Sequence, residues 1–526
     1  GRKWLNGKYV DSDNNLNDFQ LQKPSPGEYA KQPPEKIGSI EVESIKNTIN
    51  LSWDTPYDPD SSSEEISYQI YLSINGTDFD ILEEIDIVNE ELRNVVTLEN
   101  LYYDKDYYLK IKAIDLDDNE SEFSDEVTCK TQISNHPKPL LYGNHQKNNS
   151  FNIPYLSGEI APELLNTIVE EDNYKTNFVS NPLVGDGDVV YLSVTMQGSK
   201  RIVAIKDDEV SWNYRCDKSC PLLFIGKDGT IYFHDNENIM ALSPDGKLKW
   251  KEEFNNYIYS NSFAIDSQER IYFITDDYNI IVLEDNFNEV NTQIIYSFDN
   301  YLGSAPIAID SQDNIYFSNK NTLIKASFSA GKISEKIIEV DYHEEYGGDR
   351  NKEATISKID ITGDDRILIN VSNQYYDENN RSHSLTMMLS SDMNNTLWQQ
   401  LDYSPALAIG ENQFYVWQNK SPPDSAWKTF YLYGIDLSNG EIQWGKKWSS
   451  KISISHIQYL IADKNNNIYF LQGSRLRGYN VDNITSEDPA NDLIIDFYLS
   501  DTVHYFSVGE EKIYFTFYKK VKSLQY

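Results

Sequence analysis

A repeated element fills the chain after residue 176 and limits its fold more than any other feature. In each copy, turn residues precede an apolar–aromatic–apolar run, as in Gly229-Thr-Ile-Tyr232-Phe233. Successive copies are 40 to 54 residues apart, and the fourth residue of each stands at Tyr191, Tyr232, Tyr272, Tyr316, Leu368, Tyr415, Tyr469 and Tyr514. Repeats of this length form arrays, because one copy alone cannot bury its apolar face.

Each copy contains short segments that alternate in polarity, separated by turns such as Ser243-Pro-Asp-Gly246. No copy shows the 3.6-residue period of a helix, so a helical solenoid is excluded. Four short strands per copy are typical of the blade of a β-propeller. The sequence therefore predicts an all-β chain with an eight-bladed β-propeller over residues 138–526.

The eighth copy reaches the end of the chain after its third strand. Its fourth strand must come from elsewhere, and we expect residues 138–146, upstream of the first copy, to supply it. Such a strand closes the ring and removes exposed sheet edges. Residues 161–170 are expected to form a short helix, with Pro162 in its first turn.

Residues 37–133 form a separate module of about seven short segments with period two, which predicts a two-sheet sandwich. Its sequence resembles a fibronectin type III domain in Leu51-Ser-Trp53 and in the run from Leu101 to Ala113, with Tyr107 at the tyrosine-corner position. Trp53 is expected in the core. The resemblance implies a role as a spacer or docking partner.

The copies resemble pyrroloquinoline-quinone-type propeller repeats, as in Asp228-Gly-Thr-Ile-Tyr-Phe and in the runs that end at Trp250 and Trp444. This family includes quinoprotein dehydrogenases and also the propeller lipoprotein of outer-membrane barrel assembly, which binds no quinone. Cys216 and Cys220 do not form the adjacent cysteine pair that the dehydrogenases carry beside their cofactor. The resemblance implies that a tryptophan docks each blade on the next, here at Trp212, Trp250, Trp398 and Trp444.

The formal charge of −37 repels phosphate backbones, and no basic stripe interrupts it, so nucleic acid is excluded as a partner. Of the three cysteines, Cys216 and Cys220 are spaced to allow a local disulfide; free buried thiols and, less favoured, a metal site are alternatives. Residues 11–36 are polar and proline-rich, and residues 1–36 are expected to form an extended tether. The chain begins at Gly1, and no apolar stretch is long enough to span a bilayer, so we expect membrane attachment only through an N-terminal anchor that has been removed.

No pattern of catalytic residues is recognisable, and neither a catalytic residue nor a cofactor is expected. Calcium is the one metal worth considering, because Asp58–Glu65 and Asp115–Asp118 bring oxygen ligands together, although neither is an EF-hand loop. Four aromatic side chains in or beside long insertions are candidates for stacking on a ligand: Tyr375, Tyr376, Trp417 and Trp427.

The leading hypothesis is a non-enzymatic, extracytoplasmic scaffold of the cell surface, periplasm or secreted fraction that binds other envelope or surface proteins. A glycan-binding surface protein is the first alternative. A polysaccharide-active or quinone-dependent enzyme is the second.

Overall fold

The computed structural model divides the chain into two units, Gly1–Ser134 and Asn135–Tyr526. It describes residues 4–5, 8–9, 32–59, 61–82, 87–90, 93–134, 150–151, 165–170, 177–178, 182–196, 198–259, 262–286, 289–298, 306–338, 355–376, 382–401, 407–419, 428–450, 458–463, 467–472, 474–481, 484, 493–499, 503, 505–508, 512–516 and 520–525. Most of the expected tether, residues 1–36, lies outside this description.

The first unit holds two four-stranded antiparallel sheets and a two-stranded pair near its start. The sheet orders are β3-β4-β8-β7 and β10-β9-β5-β6, and the pair is β1-β2. A 3-10 turn, Ser63–Glu65, precedes β5. The strands are β1 (Trp4–Leu5), β2 (Lys8–Tyr9), β3 (Ile40–Ile45), β4 (Thr48–Asp54), β5 (Ser67–Ser73), β6 (Asp80–Ile81), β7 (Val88–Glu90), β8 (Arg93–Leu98), β9 (Asp106–Ile114) and β10 (Val127–Lys130).

Alternation along these strands builds the core of the first unit. Buried and more exposed residues alternate along β4 and β9, because successive side chains of a strand point to opposite faces. Trp53 is buried and meets Tyr68 edge-on, with ring centroids 5.2 Å apart. Tyr107 is also buried, and its hydroxyl accepts a hydrogen bond of 2.7 Å from the backbone nitrogen of Tyr102.

Among the described residues, the second unit holds eight sheets. Their strands pair antiparallel, except that β11 pairs parallel with β38. We number the sheets 1 to 8 in the order in which their repeated tyrosine position follows along the chain. Three further strands precede them in the chain, β11 (Ser150–Phe151), β12 (Leu165–Glu170) and β13 (Asn177–Phe178). A 3-10 turn, Asp186–Asp188, links β14 to β15.

Sheets 1 to 4 follow one another along the chain. Sheet 1 contains β13, β14 (Leu183–Val184), β15 (Val190–Met196), β16 (Ser199–Lys206) and β17 (Glu209–Cys216); sheet 2 contains β18 (Leu222–Ile225), β19 (Ile231–His234), β20 (Asn238–Leu242) and β21 (Leu248–Glu253); sheet 3 contains β22 (Ala264–Ile265), β23 (Ile271–Ile274), β24 (Asn279–Asp285) and β25 (Val290–Ser297); sheet 4 contains β26 (Ile307–Ile309), β27 (Ile315–Asn319), β28 (Thr322–Ser327) and β29 (Gly331–Ile337).

Sheets 5 to 8 continue the pattern, and the last two each gain a strand from upstream. Sheet 5 contains β30 (Thr355–Ile361), β31 (Ile367–Tyr376), β32 (Ser382–Leu389) and β33 (Thr396–Leu401); sheet 6 contains β34 (Ala408–Ile409), β35 (Gln413–Asn419), β36 (Lys428–Asp436) and β37 (Ile442–Ser450); sheet 7 contains β11, β38 (Gln458–Asp463), β39 (Asn467–Gln472), β40 (Arg475–Asn480) and β41 (Leu493–Tyr498); sheet 8 contains β42 (Tyr505–Val508), β43 (Lys512–Thr516), β44 (Lys520–Gln525) and β12.

The sheets follow one another around a closed path. First strands of consecutive sheets lie side by side, as in β22 with β26, β26 with β30, and β34 with β38. The path returns to its start, because β42 of sheet 8 contacts β14 of sheet 1. Apolar clusters fill the spaces between neighbouring sheets, and one of them joins Val190 and Leu192 of sheet 1 to Tyr514 and Val521 of sheet 8. This radial arrangement is that of a β-propeller.

The fourth strand of sheet 8 is not the predicted segment. Leu165–Glu170 pairs antiparallel with β44 at the edge where a fourth strand belongs. Residues 138–146 lie outside the described residues. The helix expected over residues 161–170 is wrong from Leu165 onward, because the β-branched residues Thr167 and Val169 pair with Lys522 and Val521 of β44.

Within the described part of the chain, no helix is long and apolar enough to cross a membrane.

Candidate functional site

The fourth residue of the repeated element, a tyrosine in seven sheets and Leu368 in sheet 5, occupies one equivalent position in each of the eight sheets described. It lies on the second strand and pairs with a residue of the first strand and one of the third. The first- and third-strand partners are Leu183 and Ala204 for Tyr191, Phe224 and Ala241 for Tyr232, Ala264 and Val282 for Tyr272, Ala308 and Lys325 for Tyr316, Asp360 and Met388 for Leu368, Ala408 and Gly434 for Tyr415, Ile461 and Gly478 for Tyr469, and Ser507 and Ser523 for Tyr514.

In sheets 1, 2 and 6, a small residue on the third strand allows the tyrosine on the second strand to contact a tryptophan on the fourth. In sheet 6, Gly434 pairs with both Tyr415 and Trp444, and a Cβ at this glycine would lie 2.3 Å from Trp444 Nε1. The tyrosine and tryptophan ring centroids are 6.0 Å apart in sheet 6 and 5.9 Å apart in sheets 1 and 2. The register thus repeats the same aromatic contact.

Two of the predicted docking tryptophans reach the turn of the next sheet. Trp212 of sheet 1 donates from Nε1 to the carbonyl of Pro244 in sheet 2 at 2.9 Å, and Trp398 of sheet 5 donates to the carbonyl of Leu437 in sheet 6 at 3.0 Å. Each indole lies against a glycine of that turn, and a Cβ there would approach Trp212 to 2.5 Å at Gly246.

Trp250 docks through a carboxylate instead of a carbonyl. Asp285 of sheet 3 accepts hydrogen bonds of 2.9 Å from Trp250 Nε1 and from the hydroxyl of Tyr232, both in sheet 2. The Lys249 ammonium lies 2.9 Å from the same oxygen, and both of these charged side chains are almost fully buried. Burial raises the pKa of Tyr232 well above its ordinary value, so its hydroxyl stays a donor.

The fourth docking residue, Trp444, donates to Gln413 of its own sheet at 2.8 Å. It also packs against the apolar cluster between sheets 6 and 7.

Carboxylates in the turns between first and second strands tie sheets 2 to 5 together. Asp313 of sheet 4 accepts a hydrogen bond of 2.8 Å from the backbone nitrogen of Ser267 in sheet 3. In the same way, Asp365 of sheet 5 accepts one of 2.9 Å from Ser311 in sheet 4. Glu269 of sheet 3 accepts from the backbone nitrogen of Lys227 in sheet 2. We call these three side chains the carboxylate belt.

Glu269 is the unusual member of the carboxylate belt. Burial, reinforced by the nearby carboxylates Asp228 and Asp285, raises its pKa to about 7, although the hydrogen bond from Lys227 opposes this shift. The junction between sheets 2 and 3 therefore contains a carboxyl group that changes charge near neutral pH.

Sheets 3 and 4 have no tryptophan at the docking position, where Gln293 and Ser334 stand. Cations lie near these junctions: Arg270 of sheet 3 lies 4.3 Å from the ring centroid of Phe328 in sheet 4. Lys325 lies 5.1 Å from the ring centroid of Tyr316 in its own sheet 4, and its ammonium donates to the carbonyl of Ser391 in sheet 5 at 3.4 Å. Sequence reasoning missed these contacts, because it searched only for the repeated tryptophan.

Cys216 and Cys220 form a disulfide at the crossing from sheet 1 to sheet 2, while Cys129 in the first unit is a free thiol. Beyond the disulfide, His234 of β19 is buried against Phe263. Burial lowers the pKa of His234 to about 4, so the ring is neutral at physiological pH.

The prediction that Trp417 stacks on a ligand is wrong. Trp417 is only 8 % exposed and belongs to the apolar cluster between sheets 6 and 7, because it stands two residues after Tyr415 and so faces the same neighbouring sheet. Tyr375 and Tyr376 lie at the end of β31. Their side chains, and the whole of Trp427, fall outside the described part.

Carboxylates in the acidic turns of the first unit accept hydrogen bonds from the backbone of their own turns. Asp115 accepts hydrogen bonds from the backbone nitrogens of Asp117 and Asn119, and Asp58 accepts one from Ser61. Such bonds stabilise turns. Among the described residues, no group of three or more His, Cys, Asp or Glu side chains is placed to hold a metal ion.

Exposed apolar side chains of the second unit lie mainly on fourth strands, at the outer edge of the sheets. Apart from Tyr257, every large exposed hydrophobic residue described in this unit is on such a strand: Val210, Leu248, Ile294, Ile333, Ile337, Leu397, Ile442 and Tyr498. We call these eight residues the outer apolar set.

No protein-family model matches the chain, and no curated protein matches it. Solved structures similar to it include a virginiamycin B lyase from Staphylococcus aureus, with 14% identity, 69% of this chain and 99% of that chain covered, and a TM-score of 0.38. The C-terminal WD40 domain of Sif2 has 12% identity, with 70% of this chain and 99% of that chain covered, and a TM-score of 0.48. The Dos1 propeller has 10% identity, with 70% of this chain and 95% of that chain covered, and a TM-score of 0.45. At these identities and scores, the likeness carries no argument about activity. The protein is all-β, and the sheets of its second unit are arranged as in a β-propeller.

Proposed function

We propose that the chain is a non-enzymatic, extracytoplasmic binding protein, in which a fibronectin type III-like unit precedes an eight-bladed propeller. The outer apolar set carries the binding role. Exposed apolar side chains gain free energy when a partner covers them. Here they lie on the outer strands of the sheets, which a rigid frame holds in place.

The register supports eight blades. The repeated position has the same pairing in eight sheets, and the last sheet contacts the first. The indole contacts of Trp212 and Trp398 with the next sheet support the docking role implied by pyrroloquinoline-quinone-type repeats.

Two contacts support a fibronectin type III-like first unit. Trp53 fills the core, and the hydroxyl of Tyr107 is hydrogen-bonded to the backbone a few residues upstream, as in a tyrosine corner.

The disulfide between Cys216 and Cys220 supports an extracytoplasmic location, because cytosolic thiols are kept reduced. A tagged full-length chain should then be digested when protease is added to intact cells, or to cells whose outer membrane has been opened. Complete protection until the cells are lysed would contradict this location.

Photo-crosslinking tests the binding role. A photoreactive amino acid at Leu248 or Leu397 should give adducts of defined mass with envelope or surface proteins in growing cells. Lys247, in a turn beside Leu248 and far more exposed, is the matched control and should give only background. If the outer positions give no more adducts than Lys247, the outer strands do not bind partners.

A further inference from the structure

Three short strands upstream of the repeats attach to three consecutive sheets. β11 pairs with β38 of sheet 7, β12 pairs with β44 of sheet 8, and β13 pairs with β15 of sheet 1. Sheets 8 and 1 are the last and first of the chain, and they meet where the circular path closes. We call β11, β12 and β13 together the strap, and the meeting of sheets 8 and 1 the seam.

Side chains also hold the seam. The ammonium of Lys512 lies 3.0 Å from Asp208 Oδ1, and the hydroxyl of Ser507 donates to the carbonyl of Pro182 at 3.1 Å. These contacts join sheet 8 to sheet 1 without the strap. Loss of the strap alone therefore leaves direct contacts between the two sheets.

The register between β12 and β44 determines the order in which their residue pairs separate when the chain is under tension. Leu165 pairs with Leu524, and Glu170 at the other end pairs with Lys520. The first unit lies upstream of Leu165, so tension from that unit enters at this end of the strand. A strand loaded at one end separates pair by pair, and each backbone pair contributes little by itself.

We propose that the strap is a tension-sensitive latch. Tension between the first unit and the ring detaches the two-residue strand β11 and then peels β12 from β44, while the eight sheets stay folded. Peeling leaves β44 without its outer neighbour, and an unpaired edge of this kind accepts a strand from another polypeptide. The latch depends on the pairing register and not on the binding role of the outer apolar set.

Single-molecule pulling tests the latch on the full chain, with one handle before Gly1 and the other on a clickable amino acid in place of the exposed Lys247 of sheet 2, so that β44 is not pulled directly. We expect small, reversible lengthening steps at lower force than the first unfolding of a whole unit. Release of β12 frees residues 165–176 and lengthens the chain by at most roughly 4 nm, at about 3.6 Å per residue.

A disulfide across the strap distinguishes the latch from other small transitions. In a Cys129→Ser background, Asn166→Cys with Ser523→Cys joins two residues that are paired between β12 and β44. The β12 step should disappear when this disulfide is oxidised and return on reduction. The matched pair Ile45→Cys with Thr48→Cys, which joins β3 to β4 in the first unit, should leave the step in place. The proposal is overturned if no step precedes unit unfolding, or if the Asn166–Ser523 disulfide leaves the step unchanged.

Discussion

The hydroxyl of Tyr514 donates a hydrogen bond of 2.9 Å to the backbone carbonyl of Asp188, joining the last sheet of the chain to the first. The two residues are far apart in sequence, and Tyr514 is almost fully buried. Because the bond crosses the seam, its loss should weaken the whole ring.

Tyr514→Phe should lower the free energy of unfolding by about 1 kcal/mol, since one buried hydrogen bond is lost and little volume changes. Urea denaturation of the full chain measures this. Tyr498→Phe is the control, because Tyr498 is well exposed on an outer strand. Equal midpoints for the two variants would contradict a closing role for Tyr514.

Gly246→Ala tests the docking of Trp212. Gly246 has φ +82°, and a Cβ there would lie 2.5 Å from the indole. Gly198 has a similar φ of +79° with no atom within 4 Å of its Cβ position, so Gly198→Ala measures backbone strain alone. We expect Gly246→Ala to cost about 1 to 3 kcal/mol more than Gly198→Ala in denaturant titrations. Equal costs would mean that the indole does not dock on this turn.

Half-buried Glu269 and buried His234 give opposite pH dependences of stability. The folded pKa of Glu269, about 7, is above its ordinary value of 4.5, so the stability it contributes when protonated is lost as pH rises through about 7. The folded pKa of His234, about 4, is below 6.5, so stability is lost as pH falls from about 6.5 towards about 4.

Glu269→Gln separates the two effects, because glutamine mimics the protonated acid. We expect the urea midpoint of this variant, measured from about pH 4 to about pH 8, to fall at acid pH as in the native protein but no longer to fall as the pH rises through neutrality. If the urea midpoint of the variant falls at alkaline pH as much as that of the native protein, a group other than Glu269 causes the fall.

The disulfide between Cys216 and Cys220 should contribute about 2 kcal/mol by restricting the unfolded chain, given the short loop that it closes. Reductant should lower the transition temperature of the native protein but not that of Cys216→Ser with Cys220→Ser. Thiol titration of the denatured chain should find only Cys129 reactive before reduction. Insensitivity of the native transition to reductant would show that the bond contributes nothing.

Much of the fold could be predicted from local pattern. Alternation identifies strands because side chains of a strand point to opposite faces, and a fixed spacing of the repeat implies equivalent positions. The equivalent pairing of Tyr232 and Tyr415 confirms this. The cation contacts of Arg270 and Lys325 could not be found in this way, because these two residues stand outside the repeated tryptophan position and their partners are distant in the chain.

Short-range patterns were enough to predict the strands, the turns and the repeated position of the tyrosines, since these depend on neighbours a few residues away. The segment that completes sheet 8 and the burial of Trp417 became evident only in the folded chain. Both depend on partners distant in the chain: β12 becomes a strand because β44 offers an open edge, and Trp417 is buried because sheet 7 covers it. The residues of a segment indicate which secondary structure it favours, but they do not indicate which distant strand or sheet it will pair with or pack against.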